Sequence, residues 1–365
     1  MKNIFIFGYY GFQNTGDEAI LQVMIDQIKE NIPYAKLTVL TYKAQETMDK
    51  YNINVVSRNK YIDLIKAIKE SDIVISGGGS ILQDTTSARS LIYYLSIIYI
   101  AKKMGKKVMF YGNGFGPITK AINKKLVKYI INKVDIITVR DHQSKEEMIS
   151  LGIKKEIIVT ADVTFAYKAL PETQIEQMLI DDEIDTDKKM IGISVREWKN
   201  EEKYKGVIAK AGDYLIDKGY EVIFIPMQHP RDYIISEEIA SMMERAPKIL
   251  EQIYSTKELI SLMSKLYIMI GMRLHSLIFA TIAGTPILGI EYDTKISNFL
   301  QIVEQDNAGK VEDLDIDNLM KSIDNVLECH QEYKQRIDSI RDILRKKSEQ
   351  NILLLKSFME KGEKR

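Results

Sequence analysis

The feature that most constrains this chain is the repeated alternation of short apolar segments with amphipathic helical segments. Lys2–Phe7 (KNIFIF) and Asp72–Ser76 (DIVIS) are short, β-branched and apolar, which is typical of buried parallel strands. Between such segments, stretches like Asp17–Glu30 place apolar residues at helical spacing. Alternating strands and helices predict α/β domains in which helices cover both faces of a parallel sheet.

The alternation occurs in two runs, separated by an acidic stretch without sustained periodicity. A chain of 365 residues is also too long for one ordinary core. We therefore predict two doubly wound Rossmann-like domains, at 1–168 and 189–313, joined by a linker at 169–188 and followed by C-terminal helices at 314–365. If the carboxyl edges of the two sheets face each other, they form an inter-domain cleft.

Composition excludes several classes of protein. With 45% apolar and 28% charged residues, the chain is globular, and its 51 basic residues balance 51 acidic ones, which argues against a nucleic-acid binder. A single cysteine, Cys329, allows no internal disulfide and no cysteine-based zinc site. The chain begins with a core-like strand instead of a signal peptide, so we expect a cytoplasmic protein. No metal-ligand cluster is visible, and GYYGFQNTG is not a dinucleotide fingerprint, so we predict no metal and no cofactor.

Unusual residues recur where predicted strands end, and ligands of doubly wound sheets collect at that edge. In the stretch Gly271–Lys295, Arg273, His275 and Ser276 follow one predicted strand, and Lys295 follows the next. A helix is predicted to begin between the two strands, and its N-terminus favours an anion. This stretch predicts a site for a small phosphorylated or carboxylated substrate, with His275 available for proton transfer.

Several other candidates have two interpretations. Gly77–Gly79 could expose backbone N–H groups to an anion or could simply form a tight turn. Asp17 could act as a catalytic acid or base, or could cap its helix. Arg140 and Arg196 follow apolar strands, as Arg273 does, and such a set could bind an anion bidentately or could form local ion pairs.

Among the remaining histidines, His229 follows a predicted strand and is expected near the cleft, whereas His330 is expected to be solvated. The run Leu91–Ala101 (LIYYLSIIYIA) has 11 residues, fewer than the ~20 that span a bilayer. Lysines follow it, so it could be a buried core helix with a basic end or a membrane-surface patch. We favour the core helix.

Several motifs together resemble the polysaccharide pyruvyl transferase family, and in particular its bacterial cell-wall branch. They are FGYYGFQNTGDEAIL, SGGGSILQD, GNGFGP, TVRD and GMRLHSLIFATIAGTPILGIEYDTK. The resemblance covers Met1 to about Phe299 and implies a glycosyltransferase B-like architecture. It also implies transfer of pyruvate from phosphoenolpyruvate to two hydroxyls of one sugar, as a cyclic ketal, with release of phosphate. The implied acceptor is a 4,6-diol of N-acetylmannosamine in a lipid-linked precursor of the secondary cell wall polymer that anchors surface-layer proteins.

The resemblance also implies roles for individual residues. His275 resembles the general acid of the family and Asp17 its candidate base, although the sequence does not decide which of the two is the acid. The implied phosphoenolpyruvate ligands are Arg140, Arg273 and Lys295. Further substrate contacts are expected from Ser276, Asn14, Gly78, Gly79, Arg196 and His229. If the apolar run with its lysines is instead a membrane-surface patch, peripheral contact with the inner face of the plasma membrane is expected through Leu91–Lys107.

Two alternatives remain open. A nucleotide-sugar glycosyltransferase of the same architecture would need acids in the second domain, where Glu291 and Asp293 are the candidates. A non-catalytic carbohydrate-binding protein would use aromatic residues on exposed loops. Candidates for that role are Tyr9, Tyr10, Phe12 and Phe115.

Overall fold

The computed structural model describes residues 2–85, 87–167, 179, 184–185, 187–199 and 202–360. Most of the predicted linker, 169–188, lies outside the described residues. The chain separates into two compact units, Met1–Ala166 with Leu344–Arg365, and Tyr167–Ile343.

The first unit is built on a parallel sheet of eight strands, in the order β3-β2-β1-β4-β6-β7-β8, with β5 paired to β6. Its strands are β1 (Lys2–Phe7), β2 (Ala35–Thr41), β3 (Asn54–Ser57), β4 (Ile73–Ser76), β5 (Gly79–Leu82), β6 (Lys107–Phe115), β7 (Ile136–Val139) and β8 (Ile157–Val159). The connecting helices are α1 (Thr15–Asn31), α2 (Ala44–Tyr51), α3 (Tyr61–Glu70), α4 (Ala88–Lys103), α5 (Ala121–Ile131) and α6 (His142–Ser150).

The second unit is built on a parallel sheet of six strands, in the order β11-β10-β9-β12-β13-β14. Its strands are β9 (Met190–Ser194), β10 (Glu221–Phe224), β11 (Lys248–Ile249), β12 (Leu266–Gly271), β13 (Ile287–Glu291) and β14 (Asp306–Lys310). The helices are α7 (Lys203–Asp217), α8 (Arg231–Ser241), α9 (Thr256–Met263), α10 (Leu274–Ala283), α11 (Thr294–Ile302), α12 (Ile316–Glu328) and α13 (His330–Glu360), of which α13 continues past the boundary between the units.

Both sheets have a topological switch point, where chain connections leave in opposite directions. It lies between β1 and β4 in the first sheet and between β9 and β12 in the second. The second sheet has the strand order 3-2-1-4-5-6 of the doubly wound fold. These sheets confirm the predicted fold class, α/β with parallel sheets.

The C-terminal helices differ from their predicted grouping. We expected 314–365 to form one group, but residues from Leu344 onward belong to the first unit. There Leu344, Ile352 and Leu355 are buried. The Asn351 side chain accepts a hydrogen bond from Thr138 Oγ1, which fixes the last helix to the first sheet. His330 is buried instead of solvated, because its ring stacks on Tyr267 at a centroid distance of 3.7 Å.

The apolar run Leu91–Ala101 lies in α4 and is mostly core. Leu91, Leu95 and Ile98 are buried with residues of the central strands. Lys102 pairs with Asp135 at 2.6 Å, so part of the basic end also has a structural partner. In the part of the chain that the structure describes, no helix is long and apolar enough to cross a bilayer.

Candidate functional site

The carboxyl edge of the first sheet carries two loops at its switch point, one after β1 and one after β4. In the first loop, Asn14 caps α1, and its Oδ1 accepts hydrogen bonds from the backbone of Gly16 (3.1 Å) and Asp17 (3.2 Å). Asn14 therefore holds the start of the helix that carries Asp17. Its side-chain oxygen already has two donors, so a substrate contact would have to use its amide nitrogen.

Asp17 lies against the glycine loop that follows β4. A Cβ built on Gly79 would stand 2.8 Å from Asp17 Oδ1, and Gly79 has a φ of +86°, which favours glycine. Gly78 is also closely packed, since a Cβ there would stand 3.0 Å from Ile20 Cγ2. The glycines thus let the Asp17 carboxylate approach the backbone, and this brings Asp17, Gly78 and Gly79 together at one edge.

The partly buried Glu18 and the buried Tyr10 stabilise the first loop. Glu18 Oε1 accepts a 2.6 Å hydrogen bond from the backbone of Gly11, and burial raises the pKa of Glu18. Burial also raises the pKa of Tyr10 well above its usual value, and the nearby Asp17 carboxylate adds to this rise. Tyr10 consequently stays neutral within this loop.

Arg140 occupies a buried position beside the same glycine loop. Its Nη1 donates to Asp162 Oδ2 (3.2 Å), its Nη2 to Ser80 Oγ (3.2 Å) and its Nε to Asp141 Oδ2 (3.3 Å). Burial alone would lower the pKa of Arg140, but the Asp162 and Asp141 carboxylates outweigh burial and raise it. The guanidinium is therefore permanently charged, but three protein groups already hold it.

The carboxyl edge of the second sheet places Arg196 after β9 and Arg273 after β12, on the two sides of its switch point. Arg273 Nε donates to Asp232 Oδ2 over 2.8 Å, and Nη2 donates to Asp232 Oδ1 and to Gln228 Oε1 (3.1 Å). Asp232, in the first turn of α8, is fully buried. This fork-to-fork pair fixes the guanidinium plane next to the loop that carries His229.

Tyr292, directly after β13, is surrounded by the other cations of this edge. The Arg196 guanidinium lies 4.2 Å from the centroid of the Tyr292 ring, and Lys295 Nζ lies 5.1 Å from it. Burial alone would raise the pKa of the Tyr292 hydroxyl, but Lys295, Arg196 and Arg273 outweigh burial and lower it. Three predicted cations therefore act on one hydroxyl.

His275 and Ser276 lie in the first turn of α10, which starts immediately after Arg273. The His275 ring is tilted against Phe279 at a centroid distance of 5.9 Å. Ser276 is fully buried and donates its hydroxyl hydrogen to the Arg273 carbonyl over 2.7 Å, which stabilises the start of the helix. His229 stacks on Tyr233 at 6.0 Å, and burial lowers its pKa, which favours the neutral ring.

The structure thus collects the predicted residues into two groups. The group of the first unit contains Asn14, Asp17, Gly78, Gly79 and Arg140, and that of the second contains Arg196, His229, Arg273, His275 and Lys295. Sequence reasoning missed the partners that orient them, which are Ser80, Asp162, Gln228, Asp232 and Tyr292. Most of these partners also follow strand ends, and their position after a strand is the sequence signal that could have identified them.

An α/β protein with two parallel doubly wound sheets and polar residues at both switch points has the architecture of the B-type glycosyltransferases. The fold is similar to that of a putative UDP-N-acetylglucosamine 2-epimerase from Listeria monocytogenes, with a TM-score of 0.69 at 16% identity over 99% of this chain and 98% of that one. It is also similar to Anabaena Alr3699/HepE in complex with UDP and glucose, with a TM-score of 0.65 at 12% identity over 99% of both chains. At these identities the likeness shows the fold alone.

Within this architecture the chain belongs to the polysaccharide pyruvyl transferase family, whose profile matches residues 14–294. It is 24% identical to the amylovoran biosynthesis protein AmsJ of Erwinia amylovora over 290 residues, which are 74% of this chain and 69% of that protein. It is 23% identical to general stress protein 30 of Bacillus subtilis (strain 168) over 357 residues, which are 92% of this chain and 91% of that protein. The family predicted from the motifs is confirmed, and the chain is a transferase of polysaccharide biosynthesis.

Proposed function

We propose that this chain transfers pyruvate from phosphoenolpyruvate to a 4,6-diol of a sugar and releases phosphate, with a cyclic ketal as product. The observation that carries the proposal is the cation group around Tyr292, in which Arg196, Lys295 and Arg273 act on one hydroxyl. Phosphoenolpyruvate carries a phosphate and a carboxylate, and such a group of cations matches both anions. The acceptor of the proposal is N-acetylmannosamine in a lipid-linked cell-wall precursor, as in the branch that the motifs resemble.

In this proposal His275 and Asp17 carry the proton transfers. His275 gives a proton to C3 of phosphoenolpyruvate, and the first sugar hydroxyl bonds to C2 as Asp17 takes its proton. The bond between C2 and the phosphate oxygen then breaks, and phosphate leaves with the electron pair. The second hydroxyl bonds to C2 and returns a proton to His275, while the proton held by Asp17 leaves with phosphate. Each positioned acid or base typically contributes ~10²–10⁴-fold.

The roles of the cations follow from how they are held. Arg196 and Lys295 both lie against the Tyr292 ring, and Lys295 also pairs with Asp293 at the long distance of 3.7 Å. We assign these two cations to the phosphate of the donor. Arg273 is fixed by Asp232 and would present its remaining N–H groups to the carboxylate of the donor. Arg140 already has three protein partners, so we assign it to fixing the loop of Gly79 and Ser80, with donor contact limited to N–H groups left free by those partners.

The test is phosphate release from phosphoenolpyruvate with a panel of synthetic 4,6-diol acceptors. We expect His275→Ala and Asp17→Asn each to lose at least about 10²-fold in turnover. Matched controls are His142→Ala, an exposed histidine, and Asp26→Asn, an exposed acid of the helix that carries Asp17. Turnover near the wild-type value in either site variant, with a wild-type melting curve, would refute the assigned role.

Donor binding has a separate readout that needs no acceptor. A bound phosphate would neutralise the positive field at Tyr292, so phosphoenolpyruvate should raise the pKa of this tyrosine towards its usual value. Tyrosinate absorbance, measured with and without phosphoenolpyruvate and compared with Tyr292→Phe, reports the shift. The absence of any shift at saturating concentration would argue against donor binding at this group.

A nucleotide-sugar glycosyltransferase is the second candidate, because the fold is shared with a protein whose structure contains UDP and glucose. The two acids of this chain that were candidates for nucleotide binding both have other partners. Glu291 accepts a hydrogen bond from Asn307 (3.0 Å), and Asp293 caps α11. The same acceptor panel, assayed with UDP-sugars in place of phosphoenolpyruvate, separates the two functions. Glycosyl transfer without phosphate release would decide for the second candidate.

A further inference from the structure

The charge of the chain is strongly uneven along its sequence. Residues 85–134 contain no aspartate or glutamate, and they contain ten basic residues, which are Arg89, Lys102, Lys103, Lys106, Lys107, Lys120, Lys124, Lys125, Lys128 and Lys133. The rest of the chain has 41 basic and 51 acidic residues, so the neutral total hides a local excess. This stretch includes α4 and α5.

These two helices and α3 form one layer on the first sheet. Residues of all three helices share a core cluster with the strands beneath, and α4 packs between α3 and α5. The inward residues of α4 pack in that core. Most of the basic residues of 85–134 lie on the opposite, solvent-exposed face of the layer.

Large apolar side chains protrude from the same layer. Ile62 is 85% exposed, Ile122 is 75% exposed and Ile92 is 50% exposed. Each lies in the first or second turn of its helix, which begins at the carboxyl edge of the sheet where Asp17 and Gly79 lie. Three neighbouring helices thus each expose an isoleucine towards the same edge of the sheet, and apolar residues grouped among polar ones can mark a membrane interaction site.

Aromatic and basic residues alternate at the other end of the layer. Tyr99 of α4 and Tyr129 of α5 contact each other at a centroid distance of 6.5 Å. Lys103 Nζ lies 5.6 Å from the Tyr99 ring and Lys133 Nζ lies 4.4 Å from the Tyr129 ring. Tyrosine and lysine side chains of this kind are suited to the boundary between lipid headgroups and acyl chains.

We propose that this surface, the basic face, binds a bilayer that contains anionic lipid. We define it by Ile62, Ile92, Ile122, Tyr129, Lys120, Lys124, Lys125, Lys128 and Lys133. The lysines match the negative charge of the headgroups, and the isoleucines enter the interface between headgroups and acyl chains. The exposed charges of α5 are all basic, and this complementarity selects a lipid surface over a neutral protein partner.

Of the contact expected through Leu91–Lys107, this assignment keeps only the exposed Ile92. The apolar residues of that run are mostly buried, and two of its lysines have structural roles: Lys102 pairs with Asp135, and Lys107 donates to the Phe358 carbonyl over 3.2 Å. The proposal goes beyond the proposed transferase function, because it can be tested without any substrate. It would also place the edge that carries Asp17 next to a membrane-held acceptor.

The test is co-sedimentation of the full chain with vesicles of phosphatidylcholine alone and of phosphatidylcholine mixed with phosphatidylglycerol. We expect binding to the mixed vesicles only, weakening as salt screens the charges. The double variant Lys124→Glu with Lys125→Glu should bind at least about tenfold more weakly. Ile92→Ser with Ile122→Ser should also reduce binding, although it changes no charge.

Two control variants lie on exposed positions of the second unit. Lys203→Glu with Lys210→Glu reverses two exposed lysines of α7, and Ile253→Ser removes an isoleucine that is 66% exposed. Both should bind vesicles as the wild type does. Equal losses in site and control variants, or no binding to the mixed vesicles, would overturn the proposal. Binding of duplex DNA that depends on Lys124 and Lys125, without vesicle binding, would assign the face to a polyanion instead.

Discussion

Arg273 and Asp232 form a paired fork at the switch point of the second sheet, with Nε donating to Oδ2 over 2.8 Å and Nη2 donating to Oδ1. Asp232 is fully buried and also accepts from the backbone of Met227 at 3.2 Å. Removing one partner of a buried pair leaves the other charge uncompensated. We expect Asp232→Asn to lower the free energy of unfolding by about 3 kcal/mol, measured by urea denaturation.

The chain offers a matched control for this variant. Asp217 pairs with Arg245 over 2.8 Å, but the two side chains are 58% and 54% exposed. Asp217→Asn should therefore cost less than about 1 kcal/mol. A similar loss in both variants would mean that the fork at Arg273 contributes nothing beyond a surface pair.

Tyr292 should titrate below the usual tyrosine range of about 10 in the folded chain, because Lys295, Arg196 and Arg273 stabilise the phenolate more than burial disfavours it. A lowered folded pKa adds stability as pH rises from the folded value to the unfolded one. The difference in tyrosinate absorbance between wild type and Tyr292→Phe should show this titration. Lys295→Met should move it upward.

Tyr204 is the comparison for Tyr292. Burial and nearby acids outweigh Lys205 and raise the pKa of Tyr204 to about 12. Tyr204→Phe should therefore remove a component of the tyrosinate absorbance that titrates above pH ~10. Tyr292→Phe should instead remove a component that titrates below pH ~10. If the Tyr292 component titrates at or above 10, the cations do not control this hydroxyl.

Asp84 should make the first unit sensitive to acid. It is buried, and it accepts hydrogen bonds from Thr119 N and Oγ1, Lys120 N and Asn123 Nδ2. Burial alone would raise its pKa, but these bonds outweigh burial and lower it to about 2. Its contribution, on the order of 2 kcal/mol, is then present above pH ~4 and is lost as pH falls towards the folded value.

Asp84→Asn should remove most of this acid sensitivity and should destabilise the chain at neutral pH, as measured by urea unfolding from pH ~7 down to pH ~2. Asp72→Asn is the control, because Asp72 accepts one exposed hydrogen bond, from Asn3 N at 2.8 Å. Its effect should stay below about 1 kcal/mol. An unchanged pH profile in Asp84→Asn would show that this carboxylate does not set the acid response.

Gly79→Ala should disturb Asp17 directly. The added Cβ would meet Asp17 Oδ1 at 2.8 Å, in addition to the strain of a φ of +86°. Gly219→Ala is the control, because Gly219 has a φ of +89° with no atom near its Cβ position. We expect both variants to lose about 1 kcal/mol from φ strain.

Only Gly79→Ala should also lose activity beyond its loss of stability, because only there does the new methyl group displace the carboxylate. Phosphate release from phosphoenolpyruvate, compared at equal folded fraction, separates the two effects. Equal activity in the two variants would show that Asp17 tolerates the displacement.

The elements that sequence predicted well are those with strong periodicity. Lys2–Phe7 is the predicted strand, the predicted strand Asp72–Ser76 contains β4, and the predicted helical stretch Asp17–Glu30 lies within α1. The short elements α2, β3, β5, β11 and β14 were not predicted, and neither were α9 and α11. Segments of a few residues, or with mixed polarity, carry too little periodic signal to be recognised, and neighbours in the fold decide their conformation.

The sequence by itself determined that polar residues follow apolar strands, because a short apolar strand and the residues after its carboxyl end can be recognised from neighbouring residues alone. It therefore placed Asp17, Arg140, Arg273 and His275 at carboxyl edges. Only the tertiary structure decided their partners. Strand order sets β1 beside β4 and β9 beside β12, through pairings far apart in the chain. The pairing of β1 with β4 brings Asp17 to Gly79, and the pairing of β7 with β8 brings Arg140 to Asp162. Because β12 lies between β9 and β13, Arg196 and Tyr292 meet at the same edge of the second sheet, although no local pattern connects them.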